Sequence, residues 1–128
     1  MNAVFLDQQT FSTNISLQCI YEQVNSLTCY QTTQPTEIIT RCINADIIIT
    51  NKVLLTAEIL DQLPQLKLVC IAATGTNNVD IAAASRLNIA VTNVSGYGNN
   101  SVSQYVFSQI CEFYSNTHHH QQNTAQGL

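Results

Sequence analysis

A chain of 128 residues is long enough for one domain with a hydrophobic core. Only 9% of its residues are charged, the formal net charge is −4, and the permanent cations are Arg41, Lys52, Lys67 and Arg86. Four scattered cations build no basic stripe, which excludes a phosphate-backbone reader of nucleic acid.

The first apolar run, residues 3–6, suits a central strand. A Thr/Ser/Asn-rich connection over residues 8–14 leads to Ile15, Cys19, Ile20 and Val24 at helical spacing. Residues 27–30 read as a second strand. Pro35 opens a second helix carrying Glu37, Ile38, Ile39 and Cys42. The run Asp46-Ile47-Ile48-Ile49-Thr50 is β-branched and suits a strand buried on both faces. Thr56 starts a third helix through Leu63, and Pro64 stops it. Residues 66–72 form a fourth strand, residues 80–87 an Ala-rich helix, and residues 89–94 a fifth strand. A last helix from Ser101 to about Tyr114 carries Val102, Tyr105, Phe107, Ile110 and Phe113, and is apolar around much of its circumference. From Ser115 the chain is polar and reads as a solvated loop or tail. His118, His119 and His120 do not read as a metal site, because adjacent side chains diverge and no Cys, Asp or Glu lies nearby.

This β-α rhythm specifies an α/β fold, a doubly wound five-stranded parallel sheet of flavodoxin-like order 2-1-3-4-5, and the apolar circumference of the last helix suits packing between two bodies. The small number of charges means a surface of Gln, Asn, Ser and Thr, part of it suited to being covered by further protein. Five cysteines are odd in number and form no C-x-x-C pair. Cys70 and Cys111 lie in apolar runs and read as buried small hydrophobes. No basic leader with a long apolar segment opens the chain and no apolar run approaches 18 residues, so the expectation is a cytoplasmic protein with no membrane partner.

The stretch Cys70-Ile71-Ala72-Ala73-Thr74-Gly75-Thr76-Asn77-Asn78-Val79-Asp80 joins the fourth strand to its helix. Ligands of open α/β sheets bind at such strand ends. Unpaired amides in the turn and at the helix start can hold a carboxylate. The plainer reading is an ordinary connection with Asp80 as helix cap. Gly75 would serve a close backbone approach or a positive φ.

Together, "ATGTNNVD", "NIAVTNVSGYGNNSVSQYVFSQI" and "ADIIITNKVLLTAEIL" resemble the N-terminal part of the NAD-dependent D-isomer-specific 2-hydroxyacid dehydrogenases, in particular the glycerate dehydrogenase/hydroxypyruvate reductase branch. The resemblance covers essentially the whole chain, with the motifs in order. It implies a substrate-binding domain over residues 1–100, a bridging helix over 101–117, and over 118–128 a polar tail or the start of a nucleotide-binding domain. It implies that backbone amides of Thr74 and Gly75 hold the substrate carboxylate, with Thr74 also near the nicotinamide and Thr76 continuing the loop. Asn51 and Lys52 match the substrate-facing loop after the third strand. Tyr97, Gly98 and Asn99 match the cleft lining, and Val102 the approach of the bridging helix to the cofactor.

No G-x-G-x-x-G occurs; the glycines are Gly75, Gly96, Gly98 and Gly127. NAD is therefore the cofactor implied for the full-length family, and none is expected on this chain alone. Arg41, Arg86 and His118 to His120 match none of the family's catalytic Arg, Glu/Asp and His motifs, so no catalytic residue and no metal ligand is assigned. The expectation is a substrate domain cut before the hydride-transfer machinery, binding a small 2-hydroxy or 2-keto acid such as hydroxypyruvate. Through its apolar last helix, it is also expected to self-associate in the absence of the nucleotide domain. The alternative is a non-catalytic binding or interaction module. A flavodoxin or a receiver shares the topology, but Thr50 and Asn51 stand where a receiver needs an acid. The loop Thr10-Phe11-Ser12-Thr13-Asn14 has a flavodoxin's hydroxyls without its glycine.

Overall fold

The computed structural model describes residues 1–12 and 14–127. Thr13, one of the hydroxyls considered for a phosphate loop, and Leu128, the end of the polar tail, lie outside the described residues. Five parallel strands, β1 (Asn2–Phe5), β2 (Ser26–Cys29), β3 (Ile47–Thr50), β4 (Leu68–Ile71) and β5 (Ala90–Asn93), form one sheet of order β2-β1-β3-β4-β5. This is the order expected from the sequence. β3 is central and buried at all four positions, as its unbroken β-branched run requires.

Alternation along the strands divides the core between the two faces of the sheet. Val4, Leu6, Ile48, Val69 and Ile71 face one side. There they meet α2 (Ile38–Cys42), α3 (Ala57–Leu60) and α4 (Ile81–Arg86) through Ile38, Cys42, Leu60, Ala83 and Ala84. Ala3, Phe5, Ile47 and Ile49 face the other side, packed by Phe11, Leu17 and Ile20, with the Phe5 and Phe11 rings edge to face at 5.2 Å.

α1 (Gln18–Tyr21) and α3 are shorter than the sequence pattern suggests. Ile15 and Cys19 are left exposed, while Ile20 and Val24 pack on the sheet. The connection before it is not all loop, because Gln8–Thr10 make a 3-10 turn. α3 ends at Leu60 instead of Leu63; beyond it the Leu63 and Leu66 N–H groups bond three residues back, to the Leu60 and Leu63 carbonyls. Pro64 explains this, since it offers no N–H and disfavours helical backbone at Leu63. Both leucines are nonetheless buried.

The chain divides into two units, Met1–Ser95 and Gly96–Leu128. The second holds α5 (Asn99–Ser115) and α6 (Thr117–Ala125). The expected loop or tail is thus helical. Asn116 sits in the left-handed region (φ 49°) that Asn tolerates, closing α5 and leading into α6. Pairs four apart, His118–Gln122 and His119–Asn123, then hydrogen-bond along α6 at 2.8 and 3.1 Å. Cys111, expected to be buried, is exposed on α5, and Cys70 is half-buried. The buried thiol is Cys42, whose pKa burial pushes up to about 12.

Candidate functional site

Three neighbouring strands deliver polar groups to the C-terminal edge of the sheet. Asp7 follows β1 and is 5% exposed. Its carboxylate reaches under the loop after β3: Oδ2 accepts from the Lys52 N–H at 2.7 Å, the Asn51 N–H at 3.0 Å and Thr50 Oγ1 at 3.2 Å. Oδ1 accepts from the Asn51 N–H at 2.9 Å. Thr50 Oγ1 in turn accepts the Val53 N–H at 3.0 Å. The backbone amides of Asn51 and Lys52 are therefore committed internally, and only their side chains remain for a ligand. Asp7 escaped sequence reasoning. Its signal was a lone acid directly after an apolar strand, at the edge where α/β sheets bind.

The turn after β4 is built the opposite way. Among the described residues, no hydrogen bond within the protein engages the N–H groups of Thr74, Gly75, Thr76 or Asn77. The turn is instead fixed through its carbonyls and flanks. Asn93 Nδ2, at the end of β5, donates to the Thr74 carbonyl at 2.7 Å, and the Val94 N–H donates to the Ala73 carbonyl at 3.0 Å. Asn78 is buried and reaches back to the β3 loop, its Nδ2 donating to the Val53 carbonyl at 3.3 Å and its own carbonyl accepting the Leu55 N–H at 2.8 Å. An isolated parallel bridge, Leu55 to Val79, completes this zipper between the two loops.

Gly75 does not have a positive φ. A Cβ there would lie 3.0 Å from Asn77 Oδ1, a side-chain tip, so close approach and not backbone strain is what a side chain would disturb. Asp80 is the helix cap, its Oδ1 accepting the Ala83 N–H at 2.9 Å. That cap satisfies one of the helix-start amides.

Asn51, Lys52, Ala73, Gly75, Asn77 and Asn78 line a cavity of about 360 Å³. Three of the expected site residues, Asn51, Lys52 and Gly75, are thus brought together. Thr74, which is exposed, and the half-buried Thr76 share the turn with Gly75. Lys52 also lines a neighbouring cavity of about 450 Å³ with Asp7, Gln9, Gln31 and Thr33. Asn99 and Val102 belong to the second unit, exposed on the first turn of α5, with Tyr97 exposed and Gly98 half-buried just before it.

Charge is distributed in favour of Lys52. Arg41 pairs with Glu37 at 2.7 Å, Lys67 with Asp46 at 2.6 Å and Arg86 with Asp61 at 3.0 Å, while Lys52 has no carboxylate partner for its ammonium among the described residues. Arg41 does structural work: it stacks 4.0 Å from the Tyr30 ring and donates to the Thr32 carbonyl and Thr33 Oγ1, at 2.7 and 2.6 Å. Among the described residues, no cluster of three His, Cys, Asp or Glu could hold a metal.

Gly96 has a positive φ of 75°, which glycine adopts without strain, and a Cβ on Gly96 or Gly98 would lie no closer than 3.8 Å to other protein atoms. No helix of the described residues is long and apolar enough to cross a membrane.

The sequence profile of the D-isomer specific 2-hydroxyacid dehydrogenase catalytic domain matches residues 5–127. A glycerate dehydrogenase of Methylorubrum extorquens is 39% identical over 106 residues, covering 80% of this chain and 32% of its own. A hydroxypyruvate reductase of Blautia hydrogenotrophica is 34% identical over 110 residues, covering 86% and 33%. The chain spans about a third of the length of the curated relatives it matches. Among solved structures, the NAD-dependent formate dehydrogenase of Staphylococcus aureus in complex with NAD superposes with a TM-score of 0.75 at 23% identity, covering 99% of this chain and 41% of that one, which establishes likeness of fold.

Proposed function

We propose, from the premise that this chain belongs to the D-isomer specific 2-hydroxyacid dehydrogenase family, that it binds and orients the carboxylate of a small 2-hydroxy or 2-keto acid such as hydroxypyruvate or glycerate. One observation carries the reading: four consecutive backbone N–H groups, Thr74 to Asn77, without a partner among the described residues, in a turn that shares its cavity with the unpaired cation of Lys52. Successive free amides form a concavity suited to an oxyanion, and a nearby ammonium adds long-range attraction. Thr74 and Gly75 supply amides, Thr76 extends the turn, and Asn51 and Lys52 reach the acid with their side chains. From the family resemblance we also assign Asn99 to substrate binding, and Thr74 and Val102 to the neighbourhood of the cofactor.

NAD belongs to the family reading. With no G-x-G-x-x-G in the sequence, we assign this chain the part of holding the acid still for chemistry performed by a nucleotide domain. Support for the need of such a partner comes from α5, where Tyr105, Phe107, Phe113 and Tyr114 are 66–84% exposed. An apolar surface of this kind also favours self-association of the isolated chain. The five free thiols agree with a reducing cytoplasm.

A flavodoxin or receiver reading falls with the family assignment. The non-catalytic binding module remains the second reading, favoured by the same absence of a dinucleotide fingerprint. Assay of NADH-dependent hydroxypyruvate reduction tests where hydride transfer resides, and glycerate binding separates the acid-binding domain from a module that has lost the acid site. The 128-residue polypeptide is expected to show none alone and to bind glycerate at millimolar concentration, about 4 kcal/mol. Turnover by the pure chain would contradict the assignment of hydride transfer to another domain.

A further inference from the structure

Asp7 is a buried carboxylate that the carboxylate-binding turn does not use. It lies at the end of β1, and every group it holds is 43 to 45 residues away in sequence, at the end of β3. An anion buried beside an anion site is at first sight misplaced, since like charges repel. Its bonds explain it. Two amides and one hydroxyl converge on it, and those amides belong to Asn51 and Lys52, two of the residues that line the cavity. A carboxylate bound by several N–H donors holds a loop more firmly than neutral partners would.

Resting on the carboxylate reading above, we infer that Asp7 is a positioning residue for Lys52: it occupies the β3-loop amides as an internal anion and so orders the loop that presents the ammonium between the two cavities. Two consequences follow. The β3 loop is closed to an external carboxylate, which directs the substrate's carboxylate to the turn after β4. Lys52, whose ammonium has no carboxylate partner among the described residues to orient it, owes its placement to its own backbone.

The test is a double-mutant cycle on the 128-residue chain. Glycerate affinity is read from amide shifts of Thr74 to Asn77, with hydrogen exchange of the Asn51 and Lys52 amides read in parallel. Lys52→Met removes the charge and keeps the stem. Asp7→Asn removes the internal anion and keeps the size. Each single change is expected to weaken glycerate on the order of fivefold, and the double variant to bind no worse than Lys52→Met, because Asp7 acts through Lys52. Asp7→Asn should also speed exchange of the two β3-loop amides at least about tenfold while Ile48 and Val69 stay protected, a signature of local opening.

A double variant weakened by the product of the single effects would overturn the inference, as would Asp7→Asn with unchanged glycerate affinity. If the parent chain itself fails to bind glycerate, the carboxylate reading falls and takes this inference with it. Should Asp7→Asn not fold, Thr50→Val, which deletes the hydroxyl bound to Asp7, carries the same cycle with an expected loss of about twofold.

Discussion

Two loops at the same edge of the sheet solve the same problem in opposite ways. The loop after β3 turns its amides onto Asp7, an anion supplied by the fold itself. The loop after β4, one strand away, leaves four successive amides without a protein partner among the described residues and is held by its carbonyls and by Asn78 and Asn93. Buried polar groups must be paired, whereas amides at an exposed turn can wait for a ligand at little cost. The first loop closes on an internal anion, and the second leaves its amides free for the carboxylate proposed above.

The largest test removes the internal anion. Asp7→Ala strands two amides and the Thr50 hydroxyl, and should cost about 3 kcal/mol in urea unfolding. A loss well below this would mean that water replaces the carboxylate and that the two loops are alike. Thr50→Val sharpens the same point, with an expected loss of about 1–2 kcal/mol, because its hydroxyl both donates to Asp7 and accepts from Val53.

A carboxylate at the opposite end of the sheet extends the comparison to pH. Lys67 Nζ and the Asn2 N–H hold the Asp46 carboxyl below the usual aspartate range. Its folded pKa is depressed, so its contribution is present above the unfolded value of about 3.9 and is lost as pH falls through the lower folded value. The parent chain should therefore lose its Tm advantage over Asp46→Asn in that acid window and keep it at pH 7. An advantage that grows on acidification would reverse the assigned sign.

The smallest expected stability effects lie in the open loop. Gly75→Ala and Lys52→Met should each shift unfolding by less than about 0.5 kcal/mol. Gly75 has no left-handed φ to lose, and Lys52 has no carboxylate partner for its ammonium among the described residues. Both should nevertheless weaken glycerate, and Gly75→Val should remove binding altogether. A stability loss at these positions as large as that at Asp7 would erase the distinction between the loops.

Much of this was legible in the residues. The isoleucine run of β3, the strand-turn-helix around Gly75 and the cap at Asp80 are local signals, each carried within ten residues. Family resemblance placed Asn51 and Lys52 with the same site. Asp7 was not legible as a partner of that loop, because the bonds that give it meaning span more than 40 positions and only the β1–β3 pairing brings them together. The short α1 and α3 were missed because hydrophobic spacing also persists in i to i−3 turns, as Leu60 and Leu63 show. α6 was missed because its polar side chains stabilise one another four residues apart without any apolar face to announce a helix. Cys111 was misplaced because an apolar run signals a surface that wants cover, not one that has it within its own unit.

Titration of the 128-residue chain with D-glycerate, followed by the backbone amide shifts, tests the central claim most directly. The open-loop reading predicts saturable shifts concentrated at Thr74 to Asn78, smaller ones at Asn51, Lys52 and Asn99, and none at the amides of Ile48 or Val69. Saturation elsewhere with Thr74 to Asn77 unmoved, or no shift at any position up to high millimolar glycerate, would contradict it.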